Sequence, residues 1–190
     1  MRSCALVSIC IPENGKPCGR THDTGILLPA DAGIHLADVQ TTPVESMETY
    51  DDEQIVRILR TTRTIAVVGA SPRPSRYSYR VMEYMQRSGY RVIPVNPVCA
   101  GDEILGELVY PALDNVPAPF EMVDVFRRMD AVPGVVDDVI RLAGDKGIRH
   151  LWLQVGLHDS ELAARARAAG LTVVMDRCVK IEYGRLLAHG

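Results

Sequence analysis

Groups able to grip an anion crowd one short stretch. Ser71, Arg73, Ser75, Arg76, Ser78 and Arg80 follow directly on Gly69-Ala70. A glycine lets the backbone turn sharply and a ligand approach closely. Free N–H groups at a helix start, together with the helix dipole, favour a negative charge. Guanidinium groups add charge-assisted hydrogen bonds to phosphate. The chemistry on offer is recognition of a ligand carrying several phosphates.

Two other constellations compete for notice. Cys178 lies between Arg177 and Lys180, which would favour its thiolate and exchange with a disulfide; a small buried Cys serving packing is the plainer alternative. Cys4, Cys10 and Cys18, with His22, offer metal-ligand types, but their gaps of five and seven residues do not match common zinc spacings. Five cysteines, an odd number scattered along the chain, read as reduced thiols in a cytoplasmic protein.

Positioning the anion-binding stretch requires strands and helices in alternation, and the pattern supplies them. Thr64–Val68 is an unbroken β-branched and apolar run, the mark of a fully buried strand. A helix follows from about Ser78, with Tyr79, Val81, Met82, Met85 and Tyr90 on one broad face, until Gly89. Arg91–Val95 is a second strand, closed by Asn96-Pro97. An irregular excursion, Val98–Pro119, contains a short extended piece at Glu107–Tyr110. Met122–Phe126 is the next strand, ending at Arg127-Arg128. Pro133 opens a helix to about Ala143, with Val135, Val136, Val139, Ile140 and Ala143 inward, and Gly144 and Gly147 bracket the turn. His150–Gln154 is a strand, Asp159 caps a helix ended by Gly170, and Leu171–Met175 is the last strand. A short helix over Asp51–Leu59 precedes the whole, and Asp176–Gly190 reads as a tail.

Such alternation predicts an α/β fold: a single domain with an open, mainly parallel sheet and helices on both faces. Ligands of these sheets bind beyond the strand carboxyl ends, where strand order reverses. Gly69–Arg76, Asn96-Pro97, Arg127-Arg128, Gln154, Gly156 and Cys178 should therefore converge.

Composition sets bounds. A 190-residue chain that is 47% hydrophobic suits one such domain, occupying residues 49–190. Residues 1–48 lack sustained periodicity and read as a flexible or loosely packed extension, with Met47 a second candidate start. The short apolar run Ala5–Ile11 has no convincing cleavage site after it. A net charge of −3 gives no reason to expect nucleic acid, and no apolar run is long enough to span a membrane.

The ligand is not an obvious dinucleotide. Gly69-Ala70-Ser71-Pro72-Arg73-Pro74 keeps only the first glycine of G-x-G-x-x-G, and no acid stands beside Asn96 to hold a ribose. No Walker-type loop occurs.

Five blocks in order instead carry a family likeness: Val67–Pro72, Gly89–Pro97, Val125–Arg128, Leu151–Gly156 and Val174–Cys178. Over roughly residues 50–185 the chain resembles the stand-alone CoA-binding domain proteins, relatives of the CoA-binding domain of succinyl-CoA and acyl-CoA synthetases. The resemblance implies a Rossmann-like fold holding coenzyme A, free or acylated, by its nucleotide end. Gly69, Ala70, Ser71, Arg73, Ser75, Arg76 and Ser78 would meet the phosphates, Val95, Asn96 and Pro97 would lie along the adenosine, and Phe126, Arg127 and Arg128 would flank the nucleotide. Related synthetase domains carry a lysine shortly after the second strand; Val98 and Cys99 stand there here, leaving Arg73, Arg76 or Arg128 to supply the contact. The synthetases' phosphohistidine domain has no counterpart in these residues, and no nucleophile–base pair is legible among them. The expectation is a non-catalytic CoA-binding protein, a role compatible with delivering CoA to a protein partner; a NAD(P)-linked oxidoreductase or redox sensor is the alternative.

Overall fold

The computed structural model describes residues 50–117 and 119–188. The expected N-terminal extension, and the cysteines and His22 within it, lie outside the described residues.

Helix α1 (Asp52–Thr61) starts at Asp51, whose carboxylate accepts from the Glu53 N–H at 3.2 Å. It leads into β1 (Thr64–Val68), α2 (Tyr77–Arg87) and β2 (Arg91–Val95). A hairpin, β3 (Glu103–Ile104) and β4 (Glu107–Leu108), interrupts the alternation before β5 (Met122–Val125). Then come α3 (Val132–Lys146), β6 (His150–Leu153), α4 (Ser160–Ala168), β7 (Thr172–Val174) and α5 (Val179–Leu186).

Five strands form one parallel sheet in the order β2-β1-β5-β6-β7. The chain moves one way from β1 to β2, then returns to the other side of β1 for β5, β6 and β7. Strand order thus reverses between β1 and β5, which is where such a sheet opens a crevice at its carboxyl edge. This is the Rossmann-like α/β architecture.

Side chains alternate across the sheet with the strand period of two. Ala66, Ile93, Val123, Val125, Leu151, Leu153 and Val173 face α3 and α4 through Val132, Val136, Val139, Leu162 and Ala166. Ile65, Val67, Val92, Met122, Trp152 and Val174 face α1, α2 and α5 through Ile55, Leu59, Val81, Met82, Met85 and Val179. Both sheet faces are covered, which accounts for strands without polar alternation. At the amino edge the Glu121 carboxylate accepts from the N–H groups of Arg63 and Thr64, at 3.0 and 2.8 Å, extending the β1–β5 pairing by one side chain.

Three expectations need correction. The segment after Asp176 is a helix packed on the domain, not a tail. In it Arg185 pairs with Asp52 and with the buried Glu182, at 2.6 and 2.7 Å. Tyr183 lays its ring edgewise against Tyr84 and Tyr90. Helix α3 continues through Gly144 to Lys146 and ends only at Gly147, which adopts φ +75°. The excursion after β2 holds a hairpin whose turn puts Leu105 as well as Gly106 at positive φ.

Candidate functional site

Gly69 sets the geometry of the crevice. It follows β1 with φ +90°, and a Cβ built on it would stand 2.2 Å from the Phe126 carbonyl oxygen. Its N–H donates to the Val95 carbonyl at 3.0 Å, and the Phe126 N–H donates to the Val68 carbonyl at 2.8 Å. The ends of β2, β1 and β5 are thereby drawn together at one glycine. No side chain larger than hydrogen fits that contact without moving backbone.

The loop beyond Gly69 leads to α2, whose N-cap is Arg76. Arg76 makes no side-chain capping bond. Its guanidinium cannot accept a hydrogen bond, so the first N–H groups of α2 are left to solvent or to an anion. Asn96 holds this loop in place: its amide Nδ2 donates to the Ala70 carbonyl at 2.7 Å, while its Oδ1 accepts from the Val98 N–H at 3.0 Å. One end of the amide ties β2 to the loop, and the other caps the turn that follows β2.

Gly69, Ala70, Ser71, Arg76, Ser78, Asn96, Phe126 and Arg127, with Tyr77, enclose a cavity of ≈ 390 Å³ above the carboxyl edge. On one side a slot of ≈ 170 Å³ is bounded by Val68, Val95, Pro97, Pro111, Val135 and Asp138. On the other, Tyr77, Phe126, Gln154, Val155, Leu157 and Ile181 line a cavity of ≈ 590 Å³. Arg127 borders all three and also a fourth, which Arg128 lines with Phe126 and Asp130.

Most of the expected residues are thus gathered. Arg73 and Ser75 are exposed on the loop and line none of these four cavities. Arg73 contributes its backbone N–H to Ser71 Oγ at 3.3 Å. Arg80 turns back to donate to the Pro74 carbonyl. Arg128 is exposed and paired with Asp130, whose carboxylate holds the guanidinium pKa above its ordinary value. Of the basic groups proposed to replace the synthetase lysine, Arg76 is the one beside the α2 N-terminus, and Arg127 joins it.

Sequence patterns gave no warning of the Asp124–Gln154 pair. Asp124 is fully buried on β5, and Gln154 Nε2 donates to both of its carboxylate oxygens, at 2.9 and 3.1 Å. Burial pushes the Asp124 pKa up to about 7 against these hydrogen bonds. Gln154 Oε1 is itself buried and has no hydrogen-bond partner. An acid inside a strand carries no local signature; only the sheet register sets it beside Trp152 and within reach of Gln154. Tyr77 and Ile181 were also unanticipated, the latter because α5 was read as tail. Cys178 is buried at the start of α5, against the Tyr77 phenol, and this neighbour raises the phenol pKa. Trp152 is core, with its Nε1 donating to the Arg177 carbonyl at 2.7 Å.

A reversal point bearing a close glycine turn, an uncapped helix start and converging guanidinium groups marks the chain as a Rossmann-like α/β domain with a crevice suited to an anion. Comparison with known proteins narrows the class. The family described as CoA binding domain matches residues 63–184, and the chain belongs to that family. It is 37% identical over 137 residues to YneT of Bacillus subtilis, an uncharacterized protein, covering 72% of this chain and 97% of that one. A hypothetical protein of Pyrococcus horikoshii superposes with TM-score 0.68 at 37% identity, covering 74% of this chain and 95% of its own. The dinucleotide-forming acetyl-coenzyme A synthetase 1 of Ca. Korarchaeum cryptofilum matches at 28% identity and TM-score 0.50, over 58% of this chain and 25% of the synthetase. Among the described residues, no helix is long and apolar enough to cross a membrane.

Proposed function

We propose that the chain binds coenzyme A by its nucleotide end at the carboxyl edge of the sheet and acts as a binding protein, not as an enzyme. The observation that carries this reading is the Gly69–Phe126 contact beside the uncapped start of α2. It leaves a cradle where backbone N–H groups, Arg76 and Arg127 can meet phosphate together. The adenosine lies toward Val95, Pro97 and Pro111, in the slot on the far side of Arg127. What surrounds the cleft is recognition chemistry: N–H groups, guanidinium, aromatic and aliphatic side chains. Asp138 borders the slot, Asp130 is paired with Arg128, and Asp124 is buried with Gln154 Nε2 donating to it. A NAD-linked role draws no support from the end of β2, where Asn96 stands in place of a ribose-binding acid and its amide is already engaged.

Calorimetric titration of the full chain with CoA, acetyl-CoA, NAD and ATP tests this. Saturable binding of CoA species in preference to NAD and ATP is the expected result. NAD or ATP binding without CoA would overturn it. Turnover of an acyl-CoA by the purified chain would overturn the non-catalytic part alone.

A further inference from the structure

Beyond the phosphate cradle, the ≈ 590 Å³ cavity has a different chemistry. Five large hydrophobic side chains are exposed among the described residues: Tyr77, Val98, Leu108, Val155 and Ile181. Three of these, Tyr77, Val155 and Ile181, line this one cavity, with Phe126 and Leu157 behind them. Gathered apolar exposure of this kind marks a binding surface more than chance does. Its volume falls in the range of ~300–1,000 Å³ usual for small-molecule sites. Continuity identifies the occupant, since Tyr77, Phe126 and Arg127 wall both this cavity and the phosphate cradle. A molecule anchored by its phosphates extends from one into the other. Gln154 also lines the cavity, with its Nε2 donating to the buried Asp124 carboxylate.

On these grounds we infer that the cavity holds the pantetheine and acyl end of an acyl-CoA. A short unbranched acyl chain lies among Val155, Leu157 and Ile181. The inference rests on the CoA reading above and names its preferred ligand, an acyl thioester instead of the free thiol.

The test is calorimetry of adenosine 3′,5′-bisphosphate, CoA, acetyl-CoA, butyryl-CoA and hexanoyl-CoA against the full chain and a double variant. Val155 and Ile181 are exposed, so the double variant Val155→Asn, Ile181→Asn, which adds no charge, is expected to fold. For the unaltered chain, affinity should rise along the acyl series by up to about fourfold per buried methylene. The double variant should lose that gain and keep its affinity for the bisphosphate. CoA binding with no acyl gain, or a gain that survives the double variant, overturns the cavity assignment and leaves the CoA reading standing. Failure of CoA itself to bind overturns both. Sedimentation of the same samples covers the other occupant: a dimer of the unaltered chain lost in the double variant, without any acyl effect, would assign the patch to a second copy and overturn the inference.

Discussion

Gly69 and Phe126 meet backbone to backbone across the point where strand order reverses, with space for a hydrogen and nothing larger. Gly69→Ala therefore combines a left-handed φ with a direct clash. The expected outcome is a loss of about 1–3 kcal/mol in urea unfolding, and a larger fractional loss of CoA affinity than the stability change explains. Unchanged affinity in the variant would remove this contact from the site.

Arg127 borders four neighbouring cavities, whereas Arg73 lines none of them. Arg127→Ala should weaken CoA about 10- to 100-fold, the worth of a charge-assisted hydrogen bond to phosphate. Arg73→Ala should change affinity far less. Titrations at low and high salt check the assignment, because the Arg127 variant should show a shallower salt dependence.

Asn96 ties the loop after β1 to β2 through its Nδ2 and caps the turn at Val98 through its Oδ1. Asn96→Asp keeps an acceptor for the Val98 N–H but sets a carboxylate oxygen against the Ala70 carbonyl. Stability should fall by about 1–3 kcal/mol, read from the urea midpoint, and CoA affinity should fall with it. Asn96→Ala frees both partners and should be similarly costly.

Two buried groups pull stability in opposite directions with pH. Asp124 titrates near 7 when folded against an ordinary value of 3.8, so its contribution is complete below about pH 4 and is lost as pH rises toward 7. His150 is buried beside Arg149 with its Nδ1 unpartnered; desolvation first, and the neighbouring charge second, lower its pKa from 6.5 to about 4. Its contribution is complete above 6.5 and is lost as pH falls toward 4. Between about pH 4 and 6.5 the two slopes oppose and largely cancel. Asp124→Asn should expose the histidine slope, with stability rising with pH. His150→Gln should expose the aspartate slope, with stability falling by at most about 1.4 kcal/mol per pH unit. Urea midpoints measured across this window decide it, and parallel profiles for both variants would refute the assignment.

Much of this architecture was written locally. The limits of β1 and β2 and the capping role of Asp159 follow from apolar runs and from side chains that satisfy helix N–H groups. The reversal point was legible because β1 ends in glycine before a basic, hydroxyl-rich loop. What escaped depended on long-range contact. Helix α5 has Gly184 in its interior and no capping side chain, and it stands because Arg185 reaches Asp52 and Val179 enters the core. The β3–β4 turn places Leu105 at φ 54°, where sequence expects glycine or asparagine. Gly144 has the residue type of a terminus, yet α3 runs through it to Lys146. The second half of the site shares this dependence: Tyr77, Gln154 and Ile181 come together through tertiary packing alone.

The Glu121 latch bears on the order of folding events. Glu121 and Thr64 are 57 positions apart, and their bond can form only after the intervening β1–α2–β2 unit and hairpin have been looped out. The crevice lies at the other end of the same β1–β5 pair, so it cannot exist in any early, locally structured intermediate. Closing so long a loop before its contacts reward it slows folding. Coenzyme A added during refolding should then leave the forward rate nearly untouched and act on the reverse one, lengthening the lifetime of the native chain by an amount set by its occupancy.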